Sequence, residues 1–271
     1  MKKMLQFFLF IVCLSAHNNL MSQSGKQSQK PVIVTELQLL DSARNRQVPT
    51  VLYSLKAPQN LKSADLVIFS PGNGVAIDYK SYGYLTNHLA TKGYLVASIQ
   101  HMLPTDISGQ TSDEFTVTRS PNWETGVTNI NYIIERLPLL YPHLKIKSVT
   151  LIGHSNGGDI AMLFASQHPE KLAKVISLDN RRIPVPVLKR PIICSIRSSD
   201  EAAHEDLLPS KEVIVENNMR VIYLKGIKHK DMDQTGTSAQ HEQILKAVDA
   251  CMSQRWRYGG KNGFNTVTDD L

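Results

Sequence analysis

The stretch that decides the fold is Val149-Thr150-Leu151-Ile152-Gly153-His154-Ser155-Asn156-Gly157-Gly158. An apolar, β-branched run of strand length leads into Gly-x-Ser-x-Gly, and residues 159–165 continue as an apolar pattern with helical spacing. This order of strand, sharp turn and helix is the setting that a nucleophilic serine requires. The alternative is a Gly/Ser turn that matches by chance, and the presence of both flanking elements argues against it. The sequence therefore predicts that Ser155 is a nucleophile.

The glycines around Ser155 have a mechanical explanation. A serine at a sharp strand-to-helix turn adopts a strained backbone, so the residues two positions away on either side must be small enough for close packing. Gly153 and Gly157 meet that requirement, and Gly158 adds further room. The turn also places the serine hydroxyl at a helix N-terminus, where free N–H groups favour developing negative charge.

The N-terminus has the pattern of a secretory signal peptide over residues 1–22. Lys2 and Lys3 precede the apolar run Leu5–Leu14, which is too short to span a bilayer, and small and polar residues follow. The sequence leaves the cleavage site open. We expect a secreted or periplasmic protein without a stable membrane span after cleavage, beginning with a flexible polar leader over residues 23–31.

Charge and cysteine content bear on nucleic-acid binding and on a possible disulfide. The net charge of +6 is spread along the chain without a dense basic run interleaved with aromatic residues, so we expect no nucleic-acid partner. Cys194 and Cys251 remain after signal cleavage. They lie in different predicted elements, and such cysteines usually do not meet, but the sequence leaves their pairing open.

The rest of the chain predicts one α/β domain over residues 32–253. Apolar strand-like runs alternate with helical patterns through its second half, so the sheet is expected to be mostly parallel, with helices on both faces. A long irregular loop is predicted from His101 to Pro121, followed by a helix over Trp123–Leu137 that Pro138 ends. Residues 254–271 show no periodicity and are expected to be disordered.

The order of these features resembles the α/β-hydrolase family over most of residues 32–252. More narrowly, the chain resembles the branch that contains dienelactone hydrolase and platelet-activating-factor acetylhydrolase, on the residues Asp41–Tyr53, Ser70–Gly74, Leu89–Ala97 and His101. That branch usually has His-Gly after the third strand, where this chain has Pro71-Gly72. The resemblance implies an eight-stranded sheet. Only about a dozen residues separate Asp179 from Pro191, so we expect no large cap domain and an open mouth.

The resemblance also implies a base and an orienting acid for Ser155. His229, in the loop after the last predicted strand of the domain, is the expected base. Two acids remain open: Asp200 after the seventh strand, the commoner position in the superfamily, and Asp179 after the sixth, the position used by the acetylhydrolase type. The resemblance slightly favours Asp200. His154, beside the nucleophile, is interpreted as structural.

The oxyanion hole is expected from two backbone N–H groups. One belongs to Asn156, directly after the nucleophile, and the other to Asn73, in the glycine-rich turn after the third strand. No cofactor is expected. The acidic and histidine-rich stretches at residues 204–206 and 229–233 lack the spacing that defines a metal site, so no metal is expected either.

These features favour hydrolysis of a carboxylic ester, or of a related acyl bond, through an acyl-serine intermediate. The expected substrate is a small ester or the exposed end of a polymer, and the sequence does not indicate the oligomeric state. One alternative is a secreted serine peptidase or amidase of the same fold, which would release an amine instead of an alcohol. Another is a non-catalytic binding protein that kept the fold, and the presence of both Ser155 and His229 argues against it.

Overall fold

The eight strands predicted from the apolar runs are present in the computed structural model of the protein. The structure describes residues 31–72, 79–106, 115–200, 206–255 and 267–268, and for residues 115–121 and 267–268 it describes the backbone alone. The predicted signal peptide, the leader up to residue 30 and most of the segment 254–271 lie outside the described residues.

One twisted sheet forms the centre of the domain. Its strands are β1 (Ile33–Asp41), β2 (Arg46–Ser54), β3 (Ser63–Ser70), β4 (Leu95–Ile99), β5 (Lys145–His154), β6 (Lys174–Leu178), β7 (Ile192–Arg197), β8 (Arg220–Tyr223) and β9 (Val267–Thr268). Their spatial order is β1-β2-β4-β3-β5-β6-β7-β8-β9. The pairs β1–β2 and β2–β4 are antiparallel, and every other pair is parallel. The short strand β9 extends the expected sheet at the β8 edge.

Five helices of the described residues flank the sheet. They are α1 (Gly83–Thr91), α2 (Phe115–Leu140), α3 (Asn156–Gln167), α4 (Lys211–Glu216) and α5 (Ser238–Ser253). Successive side chains of a strand point to opposite faces, and this period is visible in β3. Leu66 and Ile68 pack with α2 and α3, whereas Val67 and Phe69 pack with α1 and α5. The sheet is therefore buried on both faces, as its continuously apolar strands predict.

Helix α2 is longer than the sequence predicts. It begins at Phe115, inside the expected loop, and continues past Pro138 to Leu140. Pro138 lies in the last turn, where it removes only one hydrogen bond from the end of the helix. Burial of Ile133 and Leu137 against the sheet outweighs that loss, because tertiary packing supplies most of a helix's stability.

A disulfide joins Cys194 on β7 to Cys251 on α5. The sequence left this pairing open, and the general tendency of cysteines in different elements not to meet does not hold here. Helix α5 packs across the face of β6 and β7, and the helical period directs Cys251 inward with Val248, so that both cysteines are buried in the same apolar cluster. The sequence separation of 57 residues concealed this contact.

The sheet register positions the functional segments. In the pairings of β5 with β6 and of β6 with β7, His154 lies opposite Leu178, and Leu178 lies opposite Ile196. The residues that follow these strands consequently lie together at the carboxyl ends of the strands. In open α/β sheets, ligands bind at this end, outside the carboxyl ends of the parallel strands.

Candidate active site

Ser155 occupies the turn between the central strand β5 and helix α3. Its backbone has φ 54° and ψ −121°, a conformation that a residue with a side chain rarely adopts. A Cβ atom on Gly153 would lie 2.1 Å from the carbonyl oxygen of Gly157, and one on Gly157 would lie 2.0 Å from that of Ser70. Both positions therefore require glycine for the close approach that the sequence predicts.

His229 meets Ser155 from the loop that follows β8. It is the first residue of a short 3₁₀ helix, His229–Met232, and its Nε2 atom lies 2.8 Å from Oγ of Ser155. The opposite ring nitrogen, Nδ1, lies 2.6 Å from Oδ2 of Asp179. A carboxylate can only accept, so Nδ1 carries a proton and Nε2 is left to accept the hydroxyl proton of Ser155.

Asp179 follows β6 and has a fully buried side chain. Its Oδ2 atom also accepts hydrogen bonds from Oγ of Ser198 at 2.7 Å and from Nη2 of Arg181 at 2.8 Å. Its Oδ1 atom lies 3.1 Å from Nη2 of Arg197, a guanidinium that is itself buried. Burial alone raises the pKa of Asp179, but the hydrogen bond from His229 and the charge of Arg197 outweigh burial and leave the pKa well below its usual range.

The preference for Asp200 as the partner of the histidine ring does not agree with this geometry. Oδ1 of Asp200 accepts the backbone N–H of His229 at 2.9 Å and lies 3.5 Å from Nη2 of Arg181. Asp179 also has a positive φ of 53°, in a turn that directs its carboxylate toward the ring. Asp200 thus contacts the backbone of the histidine, and Asp179 contacts its side chain.

Sequence reasoning missed the residue that fixes the loop carrying Asp179. Asp159, in the first turn of α3, is fully buried, and its Oδ1 atom accepts the backbone N–H groups of Arg181, Arg182 and Ile183 at 2.9–3.0 Å. Burial raises the pKa of Asp159, and these N–H groups lower it in part. The only signal in the sequence is an acidic residue at the start of an apolar helix, and an acidic residue there also stabilises the helix dipole, so the signal does not identify this role.

The expected oxyanion donors are only partly within the described residues. Asn156 is the first residue of α3, so its backbone N–H has no partner inside the helix. Its side chain is fixed by Trp123, whose Nε1 donates to Oδ1 of Asn156 at 2.8 Å in a buried contact. Asn73, the other expected donor, lies outside the described residues, and the preceding Gly72 is the last residue before that gap.

His154 bonds to two different segments at this edge of the sheet. Its Nδ1 atom lies 2.8 Å from the hydroxyl of Tyr82, and its Nε2 atom lies 3.1 Å from the backbone carbonyl oxygen of His229. Burial, with a smaller contribution from the neighbouring His229, lowers the pKa of His154 to about 3. The ring is therefore neutral at physiological pH.

Two features are absent from the described residues. No group of three or more histidine, cysteine or acidic side chains within them is arranged to hold a metal ion. None of the helices formed by these residues combines the length and the apolar character needed to cross a bilayer.

Known proteins are similar to this chain in sequence and in fold. A family model described as the alpha/beta hydrolase fold matches residues 67–246, about two thirds of the chain. The chain is 32% identical over 117 residues to the uncharacterized hydrolase YugF of Bacillus subtilis, and this match spans 42% of the chain and 41% of that relative's length. A ferulic acid esterase from Streptomyces cinnamoneus superimposes with a TM-score of 0.56 at 17% identity, over 80% of this chain and 82% of the esterase. A dienelactone hydrolase from Anabaena variabilis superimposes with a TM-score of 0.53 at 15% identity, over 83% of this chain and 99% of that enzyme.

Proposed function

The chain belongs to the α/β-hydrolase family, and we propose that it is an exported serine hydrolase that cleaves a carboxylic ester through an acyl-serine intermediate. The observation that carries this proposal is the continuous line of contacts from Oγ of Ser155 to Nε2 of His229, at 2.8 Å, and from Nδ1 of His229 to Asp179, at 2.6 Å. Serine is a weak nucleophile on its own and needs such a base and such an orienting group.

In the proposed mechanism, Oγ of Ser155 attacks the ester carbonyl while its proton passes to Nε2 of His229. Asp179 remains ionised, because its low pKa keeps the carboxylate charged, and stabilises the imidazolium that forms. The oxyanion is bound by the backbone N–H of Asn156 and, in this proposal, by that of Asn73. His229 then protonates the leaving alkoxide. A water molecule, deprotonated by His229, attacks the acyl carbon; the bond to Oγ of Ser155 then breaks, His229 returns the proton to Oγ, and the carboxylic acid is released.

The proposed substrate is a small ester or the exposed end of a polymer. Residues 180–191, between β6 and β7, contain no helix or strand, so no helical cap is inserted at this point of the fold. The proposal of an ester in preference to an amide follows the esterases among the proteins of similar fold.

Export is supported by two features of the chain. The first is the charged and apolar pattern of residues 1–22. The second is the disulfide between Cys194 and Cys251, because disulfides persist mainly in oxidising compartments such as the periplasm or the extracellular space. Expression with the native N-terminus, followed by fractionation and intact-mass measurement, tests export, since an exported protein loses the mass of the signal peptide.

The decisive experiment uses a fluorophosphonate probe on the purified mature protein and on Ser155→Ala. We expect labelling of the wild type alone, together with turnover of p-nitrophenyl esters from acetate to decanoate that disappears in the variant. A matched series of p-nitroanilides separates esterase from amidase or peptidase activity. A wild type that takes up no probe and cleaves neither series would overturn the proposal in favour of a hydrolase-fold binding protein.

A further inference from the structure

A chain of hydrogen bonds connects three parts of the site through Tyr82 and His154. The backbone N–H of Gly72 donates to the hydroxyl oxygen of Tyr82 at 3.1 Å, and that hydroxyl lies 2.8 Å from Nδ1 of His154. Nε2 of His154 then lies 3.1 Å from the carbonyl oxygen of His229. The Tyr82–His154 chain thus begins at the turn after β3 and ends on the backbone of the histidine that contacts Ser155.

The chemistry of the end groups fixes the direction of every bond. The carbonyl oxygen of His229 can only accept, so Nε2 of His154 carries the proton and Nδ1 accepts. Tyr82 must then donate its hydroxyl proton to Nδ1, which leaves its oxygen free to accept from Gly72. One tautomer of a neutral His154 satisfies all three bonds.

Packing at the turn supports the same connection. A Cβ atom on Gly72 would lie 2.9 Å from the hydroxyl of Tyr82, 3.2 Å from Nδ1 of His154 and 3.6 Å from Cβ of Ser155. Gly72 therefore lies directly against the nucleophile and against the side chains of Tyr82 and His154. Tyr82 itself is fully buried, and its ring packs 4.7 Å from that of Phe69.

We propose that Tyr82 and His154 are positioning residues that hold the turn after β3 and the backbone of His229 in register with Ser155. The inference rests on the proposed function, because it concerns the placement of Gly72 and of the proposed base, His229, around the proposed nucleophile. His154 directly precedes the nucleophile in the sequence, so a movement of its backbone also moves the backbone of Ser155. A shift at either end of these hydrogen bonds would move Gly72 or the backbone of His229 relative to Oγ of Ser155.

The neutral state of both groups is consistent with this role. Burial, with His229 nearby, lowers the pKa of His154 to about 3, so Nδ1 stays an acceptor at working pH. Burial raises the pKa of Tyr82, so its hydroxyl keeps the proton that it donates. The backbone of His229 is then fixed from two sides, by His154 at its carbonyl and by Asp200 at its N–H.

The first test compares Tyr82→Phe with Tyr84→Phe. Both variants remove one hydroxyl from a tyrosine at the start of α1. The hydroxyl of Tyr84, however, donates to the carbonyl of Met232 at 2.8 Å and takes no part in the Tyr82–His154 chain of hydrogen bonds. We expect Tyr82→Phe to lower kcat about 10- to 100-fold, as for small misplacements of catalytic groups, with KM unchanged within about threefold. We expect Tyr84→Phe to keep kcat within about threefold. Equal effects of the two variants on kcat would overturn the inference.

The second test restores one bond at a time at position 154. His154→Gln retains a donor near the position of Nε2, His154→Asn retains an acceptor near that of Nδ1, and His154→Leu retains neither. We expect both amide variants to exceed His154→Leu in kcat. Adding Tyr82→Phe to His154→Leu should lower kcat little further, because His154→Leu already removes the hydrogen bond between the two side chains. Fully additive losses, or three equal values at position 154, would contradict a positioning role.

A readout that does not depend on turnover separates this inference from the proposed function. Nitrogen-15 spectra of the histidine rings should show His154 as the neutral Nε2–H tautomer from pH 5 to 8, and Tyr82→Phe should shift the His229 signals more than Tyr84→Phe does. A protonated or Nδ1–H ring at His154 would overturn the inference, even in an active enzyme. An unreactive wild type with the expected spectra would overturn the proposed function alone. If Tyr82→Phe fails to fold, the spectra of wild type and the position 154 series decide.

Discussion

Asp179 approaches the ring of His229 closely, with Oδ2 of the carboxylate 2.6 Å from Nδ1 of the imidazole. A second carboxylate, that of Asp200, reaches the same residue only at its backbone N–H. The two acids therefore act on different parts of His229, and substitution distinguishes them.

We expect Asp179→Asn to lower kcat about 10³- to 10⁴-fold, because an amide can donate to Nδ1 and stabilise the wrong tautomer of the ring. Asp200→Asn keeps an oxygen that accepts the N–H of His229, so its kcat should stay within about tenfold of wild type. Ester turnover at saturating substrate measures both, with thermal midpoints as the control for folding. The reverse ranking of the two variants would reassign the acid to Asp200.

Asp159 offers a second prediction, concerning the loop that carries Asp179. Asp159→Ala leaves three backbone N–H groups without their acceptor, and each unsatisfied buried group costs about 1–3 kcal/mol. We expect this variant to lose several-fold more kcat, and far more stability to urea, than the matched control Asp159→Asn, which keeps an acceptor oxygen. Equal stability of the two variants would show that the loop does not depend on these bonds.

Two buried histidines predict acid sensitivity of the folded state. Burial lowers the pKa of His101 to about 3, with Arg46 adding to the effect, and burial with His229 does the same for His154. His101 contacts Ser70, and His154 contacts Tyr82. Between the ordinary value of 6.5 and about 3, the unfolded chain binds a proton at each histidine that the folded chain does not bind.

The free energy of unfolding should therefore be fully retained above pH 6.5 and fall as the pH decreases through this window. The expected slope is about 1.4 kcal/mol per pH unit for each histidine. Urea unfolding at pH 7, 6, 5 and 4 measures it. His101→Gln should lower the slope by the contribution of one histidine, whereas His143→Gln, at an exposed position, should leave it unchanged. A slope that is the same in all three proteins would refute the assignment.

The disulfide between Cys194 and Cys251 closes a loop with a sequence separation of 57 residues. In the chain-entropy model such a loop stabilises the folded state by about 4 kcal/mol. The double variant Cys194→Ala/Cys251→Ala should therefore unfold at a clearly lower urea concentration than the oxidised wild type. Reduction should destabilise the wild type and leave the double variant unaffected. Two free thiols titrated in the unreduced wild type would be incompatible with the bond.

Local sequence was sufficient for the elements that carry the site. The apolar run before Gly153 and the helical pattern after Gly158 predicted the turn at Ser155, because both signals depend only on neighbouring residues. The alternation of strands and helices predicted the parallel sheet for the same reason. The end of α2 was mispredicted, because the local signal of Pro138 is weaker than the packing of Leu137 in the core.

The sequence by itself therefore determined the fold, the elbow at Ser155 and the position of His229 after the last strand of the domain. Only the tertiary structure decided which carboxylate meets the histidine ring, because Asp179 and Asp200 follow adjacent strands that end at the same edge of the sheet. The turn at Asp179, fixed from α3 by Asp159, directs that carboxylate inward. The bond between Cys194 and Cys251 and the chain from Tyr82 to His154 were likewise invisible in the sequence, since each joins residues that are distant along it and close only after folding.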